Sequence, residues 1–398
     1  MTMPAALHVI PALGPRAFGP GPVAVNLVRS QMEAGWASRL WCLDADSETR
    51  RQLGSAVRTF AHRGPYLFRY SPAMEREVRR LTRGRFEVLH QHGVFTALSR
   101  VTLEYRKVFG GPTLIAPHGS LSPIALKRSS WKKRLALWGY ESENLRSASC
   151  LHALGENELQ HIRGCGLRYP VAIVPNGVDD QWLHSAGSGA RFRARHSIPD
   201  GVRILLYLGR ITPIKGLPLL IEALANAGPG AGDWMLVIGG GGEFGFENVV
   251  RAAVARWGVS GGVRFAGPLY GDDKRDAFAA AELFVLPSLS EACPIAVLEA
   301  LGAGVPVICT EAVKFPALES CGCGWWTKIS AAGLREALAQ AFSAPASVLA
   351  AMGERGRRVV CARYRWPVIS ELLLSVYSWL LGGGSRPDFV LVEKPAAY

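Results

Sequence analysis

Short apolar runs recur along the chain, each bounded by Gly, Pro or polar turns and followed by a stretch in which apolar positions return every three to four residues. Runs of the first kind predict buried parallel strands, and stretches of the second kind predict amphipathic helices. In the first half the pattern predicts strands at 7–10, 39–43, from Val88 onward, at 113–116 and at 171–174. In the second half it predicts them at 204–208, 235–238, 263–266, 283–286 and 305–309, with a strand-like piece at 322–326. Helices are predicted between them, among them 23–34, 217–227 and 332–341. This alternation is that of βα units, and its repetition gives an α/β chain with two doubly wound, Rossmann-like parallel sheets. The 398 residues are enough for two domains of ordinary size. A polar stretch at 181–201 reads as the linker, which sets an N-terminal domain at 1–180 and a C-terminal domain at 181–366. Residues 367–398 are expected to form a terminal helix and a loose tail.

The densest chemistry lies between Ala281 and Thr310, where strand, loop, helix and strand follow one another. Pro294 at the first helical turn has no N–H to lose, and the amides of Ile295 and Ala296 are left without intrahelical acceptors. Free amides at a helix start make an anion site. Glu291 precedes that site and Glu299 lies inside the helix. An ionised carboxylate only accepts hydrogen bonds, so a ligand satisfying all these groups carries hydroxyls as well as an anion, as a nucleotide sugar does.

The loop after the strand at 204–208 holds Arg210 and Lys215, a guanidinium fork and a point charge suited to a diphosphate. It is not a P-loop, because Gly216 follows the lysine. The run Gly239 to Gly242 reads as a loop allowing close backbone approach to a nucleotide. In the first half, Pro117-His118-Gly119-Ser120 stands beyond the carboxyl end of a strand, where open α/β sheets place ligand groups. His118 is the candidate there, with His92 second.

The net charge of +13 points to an acidic partner: a nucleic acid, an anionic membrane or a phosphorylated substrate. Lys127, Arg128, Lys132, Lys133 and Arg134 are interleaved with Trp131, Leu135, Leu137 and Trp138, the pattern of a basic amphipathic helix on a membrane surface. No nucleic-acid module is recognised. Eight cysteines lack the spacing of a zinc site. The N-terminus has no basic n-region, and the longest apolar stretches fall short of the roughly 20 residues of a membrane span. The expectation is a cytoplasmic protein, peripheral at the inner membrane face. Two readings of other classes stay open: an NAD-type oxidoreductase resting on Gly19, Gly21, Ala24 and Asp44, and a non-catalytic basic binder of membrane or nucleic acid. Asp44-Ala45-Asp46 also spells a D-x-D metal signature.

Ser290-Glu291, Pro294, Glu299-Ala300 and Gly304 to Val307 resemble the E-x7-E segment of glycosyltransferase family 4, the retaining, nucleotide-sugar-dependent enzymes of GT-B architecture. Gly209 to Gly216 resembles the family's G-R-x4-K-G motif, and PHGSLSPIAL resembles its bacterial exopolysaccharide branch. Ala292 and Cys293 stand where the family usually has Gly and Phe. The resemblance implies two Rossmann-like domains facing a central cleft that closes on the substrate, with the terminal helix crossing back to the N-terminal domain. It assigns Gly19 and Gly21 to the donor diphosphate together with Arg210 and Lys215, and Leu269 and Tyr270 to the base. Glu299 is assigned to the ribose, Glu291 to sugar hydroxyls and His118 to the transferred sugar. It further implies no metal or other cofactor, and an acceptor hydroxyl on a lipid-linked glycan.

Overall fold

The computed structural model describes residues 4–13, 19–82, 86–127, 130–184, 187–228, 230–243, 245–315 and 317–393. Its strands in chain order are β1 (Ala6–Val9), β2 (Arg39–Cys42), β3 (Val57–Thr59), β4 (Val88–His92), β5 (Thr113–Ala116), β6 (Cys150–Ala153) and β7 (Val171–Ile173). They continue as β8 (Arg203–Leu208), β9 (Trp234–Gly239), β10 (Val263–Gly267), β11 (Leu283–Leu286), β12 (Val307–Thr310), β13 (Gly324–Thr327) and β14 (Val390–Leu391). The chain divides into two units, Met1–Gly177 with Trp366–Tyr398, and Val178–Arg365.

The first unit holds one sheet in the order β14-β7-β6-β5-β4-β1-β2-β3, parallel except for β14. The second holds an all-parallel sheet in the order β10-β9-β8-β11-β12-β13. Strands buried on both faces must be apolar throughout, which is why LLYL and LFVL read as unbroken runs. In each sheet the strand order reverses once, between β1 and β4 and between β8 and β11. Such a switch point opens a crevice at the carboxyl ends of the strands, where ligands bind in open α/β sheets.

Four expectations are corrected. The first helix runs Pro20–Glu33, three residues ahead of the expected 23–34, because prolines are tolerated in a first turn whose N–H groups have no partner. Gly21 is therefore a buried helical residue and not part of a loop. The expected linker at 181–201 contains the helices Gln181–His184 and Gly189–His196; Phe192 is buried, and Arg191 pairs with the buried Asp276 at 2.7 Å. The unit changes at Gly177 and not at Asp180, because the Val178 amide donates to the Tyr364 carbonyl at 2.7 Å and Arg365 grips Asp180 at 2.8 Å. Part of the expected loose tail is β14, whose Val390 is buried and whose neighbour Glu393 pairs with Arg163 at 2.8 Å.

Glycine fixes the meeting of β8 and β9 at their carboxyl ends. Gly240 has φ 146°, and a Cβ there would sit 1.8 Å from the Gly209 carbonyl oxygen. Gly240→Ala is expected to lower unfolding stability by about 2–4 kcal/mol, because both the dihedral and the space exclude a side chain. Gly232, with open space around it and no left-handed φ, is the control. Urea midpoints check both: an alanine tolerated equally at the two positions would refute this packing account.

Candidate active site

Loops from the two strands flanking the second switch point meet. Gly216 has φ 68°, and a Cβ there would lie 2.0 Å from the Pro287 carbonyl, so only glycine lets the β8 loop reach the β11 loop. The Leu289 amide then donates to the Ile214 carbonyl at 2.8 Å. This contact brings Lys215 onto Glu291, whose carboxylate also accepts from the Ser288 hydroxyl at 2.6 Å. The two side chains are only 15% and 11% exposed. Arg210, from the same loop, pairs with Glu243 at 2.6 Å. Tyr207 donates its hydroxyl to the Arg210 carbonyl at 2.8 Å. Burial, with the Glu291 charge second, pushes that phenol far above its usual range, so it remains a neutral donor.

The helix Ile295–Gly302 begins four residues after Glu291, with Pro294 as its N-cap. Among the described residues the amides of Ile295 and Ala296 have no protein acceptor, which leaves a helix start beside Glu291 in the chain. Ala292 and Cys293 avoid the left-handed region; the described non-glycine residues with positive φ are Arg69, Phe95, His118 and Ser197. The backbone here therefore does not call for the glycine that the family resemblance led one to expect at 292.

Glu299 is buried, with Lys274 Nζ 2.5 Å from its Oε2 and the Trp182 ring 5.3 Å from that ammonium. Leu269 is buried and Tyr270 is 69% exposed. The tetraglycine run is used for protein contacts: Gly239 is buried at the end of β9, and a Cβ there would strike Leu208 and Leu269. Gly240 abuts Gly209 and its amide donates to Gly267 at 2.7 Å. The close approach these glycines allow is thus between loops of the unit itself.

In the first unit, His118 stands just beyond β5 with φ 51°, a left-handed conformation uncommon for a residue other than glycine. Its loop is held by the buried Glu158, whose carboxylate accepts from the Gly119 amide at 2.5 Å and the Leu154 amide at 2.9 Å. His118 Nε2 lies 3.0 Å from His92 Nδ1 on β4. His92 is wholly buried, and beyond it stand His8 on β1, His90 on β4 and His152 on β6, which no spacing in the sequence predicted. The nitrogens of His8, His90 and His92 lie within 4.8 Å of one another. Gly19 caps the first helix with φ 83°. Asp46 of the D-x-D accepts from the Thr49 amide at 2.8 Å as the cap of the helix Ser47–Leu53.

The expected basic helix is described over Pro123–Lys127 and Ser130–Ala136, and Ser130–Ala136 runs into a π-helical turn at Leu137–Glu141. Arg128 lies outside the described residues. Trp131, Leu135 and Trp138 are 56%, 58% and 89% exposed, and Lys132 lies 5.3 Å from the Trp131 ring. Lys133 donates to the Ala125 carbonyl and lies 5.4 Å from the Phe95 ring. Among the described residues no helix is long and apolar enough to cross a membrane.

Two family models match the chain: the glycosyl transferase 4-like domain over residues 18–177, and glycosyl transferases group 1 over residues 189–359. Both halves are thus glycosyltransferase domains. A D-inositol 3-phosphate glycosyltransferase of Streptomyces bingchenggensis (strain BCW-1) is 33% identical over 153 residues, 37% of this chain and 34% of that protein. The chain thus spans about a third of the length of such relatives. A phosphatidyl-myo-inositol mannosyltransferase of Mycobacterium leprae (strain TN) is 28% identical over 323 residues, 80% of each chain. The solved structure of Anabaena Alr3699/HepE in complex with UDP-glucose matches with a TM-score of 0.75 at 18% identity, covering 94% of this chain and 99% of that one. The fold is GT-B.

The buried histidines set a pH dependence. Desolvation, the largest cause, lowers His8 and His152 to about 4 and His118 to about 3, and it holds His90 and His92 well below the ordinary 6.5. A lowered folded-state value means the unfolded chain binds more protons, so this stability is intact above pH 6.5 and lost as pH falls towards 4. Glu158, raised by burial to about 7, and Glu141, also raised by burial, act in the opposite sense, but they are two carboxylates against five imidazoles. At pH 5 the loss for each of His8 and His152 is on the order of 2 kcal/mol. Denaturant midpoints should therefore fall steeply between pH 7 and 5. A flat profile would show that these rings are not buried neutral.

Proposed function

We propose that the protein transfers a sugar from a nucleotide-diphosphate sugar to an acceptor hydroxyl. The observation that carries this reading is the meeting of Lys215 and Glu291 at the second switch point, with a helix start following in the same loop. A cation for the leaving diphosphate and a carboxylate for sugar hydroxyls then stand side by side. Arg210, Lys215 and the amides of Ile295 and Ala296 stabilise the charge that grows on the leaving diphosphate, an electrostatic catalysis that needs no metal. Lys215 leaves Glu291 when the phosphate arrives, and the freed carboxylate accepts from the sugar. Glu299 accepts from the ribose after release from Lys274, and Leu269 and Tyr270 lie at the base. In the first unit His118 takes the transferred sugar. The substitution is same-face, as in retaining enzymes of glycosyltransferase family 4, with the leaving phosphate taking the acceptor proton.

The acceptor proposed is a lipid-linked glycan in exopolysaccharide or related envelope synthesis. The exposed Trp131, Leu135 and Trp138 beside Lys127, Lys132 and Arg134 suit an anionic membrane surface, where an apolar face enters and cations pair with headgroups. The Mycobacterium leprae relative, named for a phosphatidylinositol acceptor, supports a lipid partner.

The test is a panel of UDP-, GDP- and ADP-sugars assayed for transfer and slow hydrolysis. One nucleotide class should turn over, and Lys215→Ala should lower kcat/KM by about 10²–10³-fold. Turnover indifferent to Lys215, or binding of NAD and of no nucleoside diphosphate, would overturn the assignment.

A further inference from the structure

The histidines of the first unit are not a loose cluster. His152 Nε2 lies 2.8 Å from the Val174 carbonyl oxygen, which can only accept. His152 must therefore donate there, and its Nδ1 must accept from His90 Nε2 at 3.3 Å. His90 Nδ1 then accepts from the Tyr377 hydroxyl at 2.7 Å, and the phenol oxygen accepts from Gln31 Nε2 at 3.3 Å. The Gln31 carbonyl oxygen accepts from His8 Nε2 at 2.8 Å and from the Ser38 hydroxyl at 2.7 Å. His8 Nδ1 accepts from His92 Nε2 at 3.0 Å, and His92 Nδ1 accepts from His118 Nε2 at 3.0 Å. Neutral imidazole has one donor and one acceptor, so the fixed end at Val174 sets the direction of every later bond. Reversing any link would set two lone pairs or two protons against each other.

We propose that His92, His8, Gln31, Tyr377, His90 and His152 are positioning residues that hold His118 as its Nε2–H tautomer, leaving Nδ1 as an acceptor for a ligand hydroxyl and not a donor to phosphate. This rests on the assignment of His118 to the sugar. The left-handed backbone at His118, anchored by Glu158, is the strain such positioning requires. Burial of the inner rings keeps them neutral, because a charged imidazole with two donors would break the chain. The terminal helix Trp366–Leu380 completes the chain through Tyr377, 287 residues from His90. A metal at His8, His90 and His92 fits less well. The rings of His90 and His92 stack at 29° and those of His8 and His92 at 18°, so their lone pairs run alongside one another and do not converge, and every one of their ring nitrogens is already bonded.

The experiment is NMR on the full-length, ligand-free protein with 15N-labelled histidine. The expected result is five rings of one tautomer, each with protonated Nε2 and bare Nδ1, and a 15N–15N coupling across the His118–His92 hydrogen bond. A mixture of tautomers at His118, or a proton on its Nδ1, would overturn the proposal. Added zinc should change nothing, whereas shifts at His8, His90 and His92 with loss of the coupling would make the cluster a metal site and overturn the chain. In turnover, His92→Leu should lower kcat/KM for the nucleotide sugar about tenfold, with affinity for the free nucleoside diphosphate unchanged, and His118→Gln should retain far more activity than His118→Arg. Equal loss of nucleoside diphosphate affinity, or rescue by arginine, would mean that His118 serves phosphate. The NMR result needs no donor and no activity, so it stands or falls apart from the transferase reading.

Discussion

The second unit depends on one close approach. Gly216 lets the loop after β8 pass against the carbonyl of Pro287 in the loop after β11, and this sets Lys215 on Glu291. A largely buried ion pair contributes little net stability, because desolvation offsets most of the attraction. Its value here is positional. It keeps a cation and a carboxylate together at the switch point, and in the proposed function a ligand would supply a phosphate for one and hydroxyls for the other. Lys274 and Glu299 form a second ion pair of this kind, its carboxylate buried.

Much of the architecture was legible because parallel strands covered on both faces must be apolar, and helices between them must show one apolar stripe. The strands that escaped notice are those where that rule fails. β6 is CLHA, with His152 inside the sheet, and β3 is VRT at the edge, partly solvated. β14 is two residues long and held by tertiary contacts, including the ion pairs of Glu393. Prolines and glycines at 19–22 suggest a loop until helix-end geometry is considered.

For the candidate site, what was legible was that Arg210, Lys215, Glu291 and His118 stand in loops just beyond strands, where open α/β sheets place ligand groups. Lys274 was not, since its partner lies 25 residues away on another helix and no local spacing encodes the pair. The histidine chain was illegible for a stronger reason. Its rings occupy positions that pattern reading reserves for apolar side chains, and they are tolerated there because each buried nitrogen finds a partner. Those partners come from β1, β4, β6 and both the first and the last helix of the unit.

The central claim is that Glu291 holds Lys215 until a diphosphate replaces it. Calorimetry on Glu291→Gln, comparing a nucleoside diphosphate with its nucleotide sugar, tests this directly. The account predicts that the diphosphate binds the variant at least as tightly as it binds the wild type, since Lys215 no longer has a partner to leave, while the sugar adds no further affinity. Parallel weakening of both ligands would contradict it and make the pair a structural contact.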